Sequence, residues 1–140
     1  MSIDLVVLHS ISLPPGQYGG PEIEALFTNT LDWDAHPYFQ QIRGAEVSAH
    51  FLIRRQGELV QFVSCDDRAW HAGKSQHMGR DNCNDFSIGI EIEGLEGETF
   101  ETAQYDTLTH LHTSQATSMW HRITKKIQAK ALIGNFCRHL

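Results

Sequence analysis

No apolar run in this 140-residue sequence approaches the roughly 18 residues of a membrane span. The apolar run near the N-terminus, Leu5–Leu8, follows Asp4 and closes on His9, so it lacks the length and flanks of a secretory signal. Cysteine is scarce. Cys65, Cys83 and Cys137 are odd in number and share no C-x-x-C spacing, which speaks against a disulfide framework and fits a reducing, cytoplasmic compartment. Positive charge is short as well: 11 Lys and Arg stand against 17 Asp and Glu, a net charge of −6 with neutral His. That balance argues against nucleic acid or an anionic membrane as the main partner. Acid, in turn, is missing from the end of the chain. All 17 acidic residues lie at or before Asp106, whereas residues 113–140 hold Arg122, Lys125, Lys126, Lys130 and Arg138. Histidine breaks the pattern of scarcity; nine in one domain-sized chain make a metal worth looking for.

The order of elements reads as α/β. "LVVLHSI" is a continuous apolar run, the mark of a buried strand, and "SLPPGQYGGP" is a loop set by adjacent prolines and three glycines. "PEIEALF" opens with Pro and acids, as a short helix does. "HPYFQQI" is a second helical turn. "VSAHFLIRRQGELVQFV" (47–63) is two strand-like runs about a polar turn with Gly57, a hairpin. "RAWHAGKSQHMGRDNCND" (68–85) reads as a long polar loop. In "FSIGIEIEG" (86–94), Phe86, Ile88, Ile90 and Ile92 face one side and Ser87, Gly89, Glu91 and Glu93 the other. "TAQYDTLTHLH" (102–112) is a helix with Thr102 as its expected N-cap. Beyond His112 no period is sustained. The expected architecture is a central mixed sheet with flanking helices, with a first domain over 1–112 and a divergent basic tail over 113–140.

Several residues could carry chemistry. Glu91 and Glu93 sit on a rigid strand, where a carboxylate can be aimed as a general base; from the pattern alone, solvated sheet-face charges are the commoner case. Trp70, beside His71 in a Gly-containing loop, can wall a sugar site with its flat face or plug the core beneath the loop. His50 lies on the strand face of Ser48 and Leu52 and is either a cleft group or a satisfied core histidine. His9 closes the first strand, but nothing at i+2 or i+4 partners it. His110 and His112, two apart, do not share a helix face, and Cys137 and His139 converge only in an extended segment.

Taken together, "VVLHSISLPPGQYGGPEIEALF", "HPYF", "VSAHFLIRRQGELVQFV", "RAWHAGKSQHMGRDNCNDFSIGIEIEG" and "TAQYDTL" resemble the cytoplasmic 1,6-anhydro-N-acetylmuramyl-L-alanine amidases of AmpD type. These sit within the zinc amidase family that includes peptidoglycan recognition proteins and phage amidases. The resemblance runs from about residue 5 to residue 112. It implies an α/β fold with a zinc site in a surface cleft, an anhydromuropeptide substrate, and hydrolysis of the amide between the lactyl group and L-alanine in cell-wall recycling. It also implies that His9 is a zinc ligand, that Glu91 is the catalytic acid/base, and that Trp70, His50 and His71 line the substrate cleft. Zinc in such a site lowers the pKa of bound water toward about 7.

The sequence departs from that family in three places. The chain begins eight residues before His9, so an N-terminal segment usual in the family is unmatched, and Ser10 stands where Asn is common. The C-terminal motif resembling G-H-x-D-I-A-P followed by K-T-D-P-G is also unmatched. That motif carries two further zinc ligands and a cationic oxyanion group. The composition shift after Asp106 reads as a frameshift or other lesion from about residue 113. Two alternatives follow: a muropeptide-binding module without zinc, or a tail that supplies substitute ligands from His112, His121, Cys137 or His139.

Overall fold

The computed structural model describes residues 3–113 and 132–133. Its elements run in the order β1 (Leu5–Ile11), α1 (Glu22–Phe27), a 3₁₀ turn (Pro37–Ile42), β2 (Phe51–Ile53), β3 (Leu59–Gln61), β4 (Gln76–His77), β5 (Arg80–Asp81), a second 3₁₀ turn (Cys83–Asp85), β6 (Ser87–Glu93), α2 (Thr102–Thr113) and β7 (Leu132–Ile133). Five strands form one sheet in the order β3-β2-β6-β1-β7. The β2–β3 hairpin is antiparallel, and β2–β6, β6–β1 and β1–β7 are parallel. The mixed sheet with flanking helices is therefore as the sequence pattern expects.

β6 lies at the centre, and all seven of its residues are buried. Its two faces have different neighbours. Ile88, Ile90 and Ile92 join Phe51 and Ile53 of β2 and pack against Leu108 and Leu111 of α2; each such isoleucine contributes about 1.5–3 kcal/mol on burial. On the other face, Leu52 packs against Ile23, Leu26 and Phe27 of α1 and Phe39 and Ile42 of the first 3₁₀ turn. Leu5 and Val7 of β1 meet Ala72, Cys83 and Phe86. The acidic face of β6 is thus an interior face. The reading of Glu91 and Glu93 as solvated charges is corrected by the helices and loops that cover that side: they are 5% and 1% exposed.

Local signals account for the connections. The β2–β3 turn closes with Gly57 N–H donating to Arg54 O at 2.8 Å and Arg54 N–H to Glu58 O at 2.9 Å. Gly57 has φ +83°, and a Cβ there would stand 2.7 Å from Ala103 O, so both backbone and packing require glycine. α2 begins at Thr102, and Gln104 reaches back to accept from Glu101 N–H at 3.0 Å. This is the return half of a capping box, so the cap is made one residue before the expected Thr102. The Gln104 amide also donates to Glu93 O (2.8 Å) and Ile53 O (3.3 Å), tying α2 to both strand ends.

Two elements differ from the expectation. The 68–85 loop contains the small β4–β5 hairpin, turned by Met78 (φ +49°) and Gly79 (φ +78°). Met is an unusual residue for that left-handed position, which is why the hairpin has no sequence signal. The 113–140 segment, whose fold the sequence leaves open, contributes β7, which pairs with Val7 and Leu8 of β1.

Candidate active site

The parallel register of β1 and β6 sets His9 directly beside Glu91. Residues paired in this way point to the same face of the sheet, so the two side chains share the interior face. Leu52 of β2 flanks Glu91 on its other side. His9 is 4% exposed, and burial lowers its pKa to about 4. Burial raises the Glu91 carboxyl to about 8, because among the described residues no cation or donor offsets the desolvation of its charge. Among the described residues, no hydrogen bond reaches that carboxylate. At neutral pH the pair is a neutral imidazole beside a protonated carboxylic acid.

His71 arrives at the same face from the loop after β3. Its Nδ1 lies 3.0 Å from His9 Nε2 and its Nε2 lies 3.1 Å from Ser87 Oγ. Burial, then the neighbouring His9 and His50, lower its pKa to about 3. Two residues make its place. Asn84 Oδ1 accepts from the backbone N–H groups of His71 (3.0 Å) and Ala72 (2.8 Å). Gly89 leaves room for the ring, since a Cβ there would stand 2.3 Å from His71 Cγ. His50 has no exposed surface. Its Nδ1 accepts from Gly89 N–H and its Nε2 donates to Asp67 O, both at 3.0 Å. Both rings, expected from the sequence to line a substrate cleft, are buried with both nitrogens engaged.

Trp70 is the exposed member, with 59% of its surface open. Its backbone is anchored by exchange with Ser48: Ser48 N–H donates to Trp70 O (3.0 Å) and Trp70 N–H to Ser48 Oγ (2.8 Å). The Arg68 guanidinium stacks 3.6 Å from the ring centroid and is held by Asp85 at 2.6 Å and Asn82 at 3.2 Å. Arg68 thus stiffens the indole through a cation–π contact.

Glu93, two residues beyond Glu91, has a different task. Its Oε1 accepts from Gly19 N–H at 2.7 Å and its Oε2 from Arg55 N–H at 3.0 Å. Arg54 lies 3.5 Å from Oε1 and bonds Glu24 at 2.6 Å and Gly20 O at 3.1 Å. One buried carboxylate therefore pins both the 12–21 loop and the hairpin turn beside the end of β1. The strand alternation placed Ser87, Gly89, Glu91 and Glu93 on one face, but nothing local in the sequence distinguishes the clamp, Glu93, from the unpaired Glu91. Asn84 and Arg54 carried no sequence signal at all.

The model of the N-acetylmuramoyl-L-alanine amidase family matches residues 1–135. The chain belongs to that family. Its amidase relatives include 1,6-anhydro-N-acetylmuramyl-L-alanine amidase AmpD of Salmonella typhimurium, 61% identical over 104 residues, which are 74% of this chain and 56% of that protein. A crystal structure of a selenomethionine AmpD derivative superimposes with a TM-score of 0.79 at 56% identity, covering 80% of this chain and 63% of the other. AmpDh3 from Pseudomonas aeruginosa in complex with anhydromuramic pentapeptide gives a TM-score of 0.57 at 28% identity, over 79% and 43% of the two chains. The chain thus spans a little over half the length of the curated relative.

A catalytic zinc in this amidase family needs three protein donors and an open position. Among the described residues, no group of three or more His, Cys, Asp or Glu side chains is arranged to hold a metal ion. His9 is the one donor there that the family resemblance names, and the nitrogens of His71 and His50 are engaged as above. The described residues therefore do not by themselves fit zinc. His121, Cys137 and His139 lie outside the described residues, as does the side chain of His112. Among the described residues no helix is long and apolar enough to cross a membrane.

Proposed function

We propose that this chain is an N-acetylmuramoyl-L-alanine amidase acting in the cytoplasm on 1,6-anhydromuropeptides, at the amide between the lactyl group and L-alanine, in cell-wall recycling. The observation that carries the reading is the register pairing of His9 with Glu91 on the two innermost strands, in a chain of this family. The complex of AmpDh3 with an anhydromuramic pentapeptide supports the substrate class. Glu91 takes the proton of the attacking water and delivers it to the leaving amine of L-alanine. A carboxyl raised to about 8 is mostly acid at neutral pH but keeps an ionised fraction within easy reach, which suits a group that must serve as both base and acid. Trp70 walls the sugar. His50 and His71 act through the backbone and through His9 rather than by contact. Zinc enters as the family's cofactor, with His9 as one ligand.

A second reading is favoured by the donor count: a muropeptide-binding module without zinc, in which Trp70 and the 68–85 loop hold the ligand. Metal analysis of the purified chain, paired with calorimetric titration of an anhydromuramyl peptide, separates the two. About one zinc per chain, lost in His9→Ala, with peptide release supports the amidase. Ligand binding with no zinc and no cleavage supports the module. No binding and no cleavage rejects both.

A further inference from the structure

Ser87 fixes the direction of a buried hydrogen-bond chain. Its Oγ lies 2.6 Å from Cys83 O, and a carbonyl only accepts, so the single hydroxyl proton is spent there. The same Oγ stands 3.1 Å from His71 Nε2 and must accept from it, which places the proton of the His71 ring on Nε2. A neutral imidazole carries one ring proton, so His71 Nδ1 is an acceptor. His9 Nε2, 3.0 Å away, must then be the donor.

We infer that His71, oriented by Ser87, is a positioning residue that holds His9 in the tautomer protonated at Nε2, so that Nδ1 is the nitrogen with the electron pair. The residues around the ring support this role. Asn84 fixes the His71 backbone, Gly89 leaves space for the imidazole, and His50 bonds the Gly89 amide. Ser87, His71, Asn84, Gly89 and His50, five residues from three segments, thus converge on one proton position of His9, and none of the five is paired in register with Glu91. The inference deepens the amidase reading by naming the atom through which His9 acts, because a ring nitrogen's availability is set by the hydrogen bond at the other nitrogen.

The tautomer is read directly by nitrogen-15 NMR of the histidine rings in the full chain with metals chelated, near pH 7.5. His9 is expected to show a protonated Nε2 and an unprotonated Nδ1, with His71 also protonated at Nε2. In His71→Asn, whose carbonyl keeps an acceptor toward His9, the His9 signature should persist. In His71→Phe it should give way to a mixture of tautomers. Ser87→Ala, a gentler change, should mix the tautomers of both rings. A His9 ring protonated at Nδ1 in the unaltered chain overturns the inference, as does an unchanged His9 signature in Ser87→Ala or His71→Phe. A failed amide-cleavage assay would count against the proposed function and leave this spectrum unaffected.

Discussion

Replacing Glu91 by Gln should stabilise the metal-free chain, and the gain should depend steeply on pH. Glu91 is 5% exposed, and burial raises its carboxyl to about 8 from an ordinary 4.5. The sign follows from linkage. A carboxyl whose folded pKa is raised binds a proton in the folded state that the unfolded state has released, so its stability is complete below 4.5 and drains away as pH rises toward 8. Each tenfold mismatch in proton affinity is worth about 1.4 kcal/mol. At pH 7 the mismatch is between two and three powers of ten, a cost of about 3 kcal/mol, and above pH 8 it approaches ~5 kcal/mol. Whole domains are stable by only about 5–15 kcal/mol, so this one side chain is a large share. Gln keeps the shape and cannot ionise; any cost of its buried amide is independent of pH. Urea denaturation of both chains at pH 4.5, 7 and 8.5 gives the test. The difference in unfolding free energy should move in favour of Gln by about 3 kcal/mol between pH 4.5 and 7. A difference that stays flat across that range would refute the claim that Glu91 is buried without a compensating charge.

Three further outcomes are expected. Gly89→Ala drives a methyl to within 2.3 Å of His71 Cγ and should lower stability by about 1–3 kcal/mol, with the His71 ring resonances shifted; a silent substitution would contradict the packing. Glu93→Gln removes the charge that Arg54 faces and weakens the bonds to Gly19 and Arg55, costing about 3 kcal/mol as for other broken buried pairs. Hydrogen exchange at those two amides should accelerate, and unchanged protection there would show that Glu93 is no clamp. Acid should destabilise the fold through His9 and His71, whose folded pKa values are lowered to about 4 and about 3. Their contribution is complete above the ordinary 6.5 and is lost as pH falls toward 4, because the unfolded rings take up protons first. A melting temperature that is constant from pH 7 to 4.5 in Glu91→Gln would argue against it.

What the sequence made legible was what depends on short range. The two-residue alternation of β6 put Ser87, Gly89, Glu91 and Glu93 on one face, and the continuous run of β1 marked a buried strand. Neither pattern says what covers a face, and so the burial of Glu91 and Glu93 became visible only with α1, the 3₁₀ turn and the loops in place. The histidine contacts are long-range by nature. His9 and His71 are 62 residues apart, and His50 meets Gly89 across 39; no spacing rule links such pairs. Asn84 and Arg54 act on backbone groups brought near by folding, and loop asparagines and surface-type arginines look alike in sequence whatever they bond. The β4–β5 hairpin escaped because Met78 occupies a position where Asn or Gly is the usual signal.

The pairing of His9 and Glu91 as the reaction centre is tested most directly by mass-spectrometric detection of the peptide released from a 1,6-anhydromuramyl peptide. The full chain is incubated with zinc and compared with its Glu91→Gln form. The expected result is release by the unaltered chain and a loss of about 100-fold or more in Glu91→Gln, the usual scale for removing an acid/base group. Equal rates in the two chains, or no release by the unaltered chain with zinc present, would contradict it.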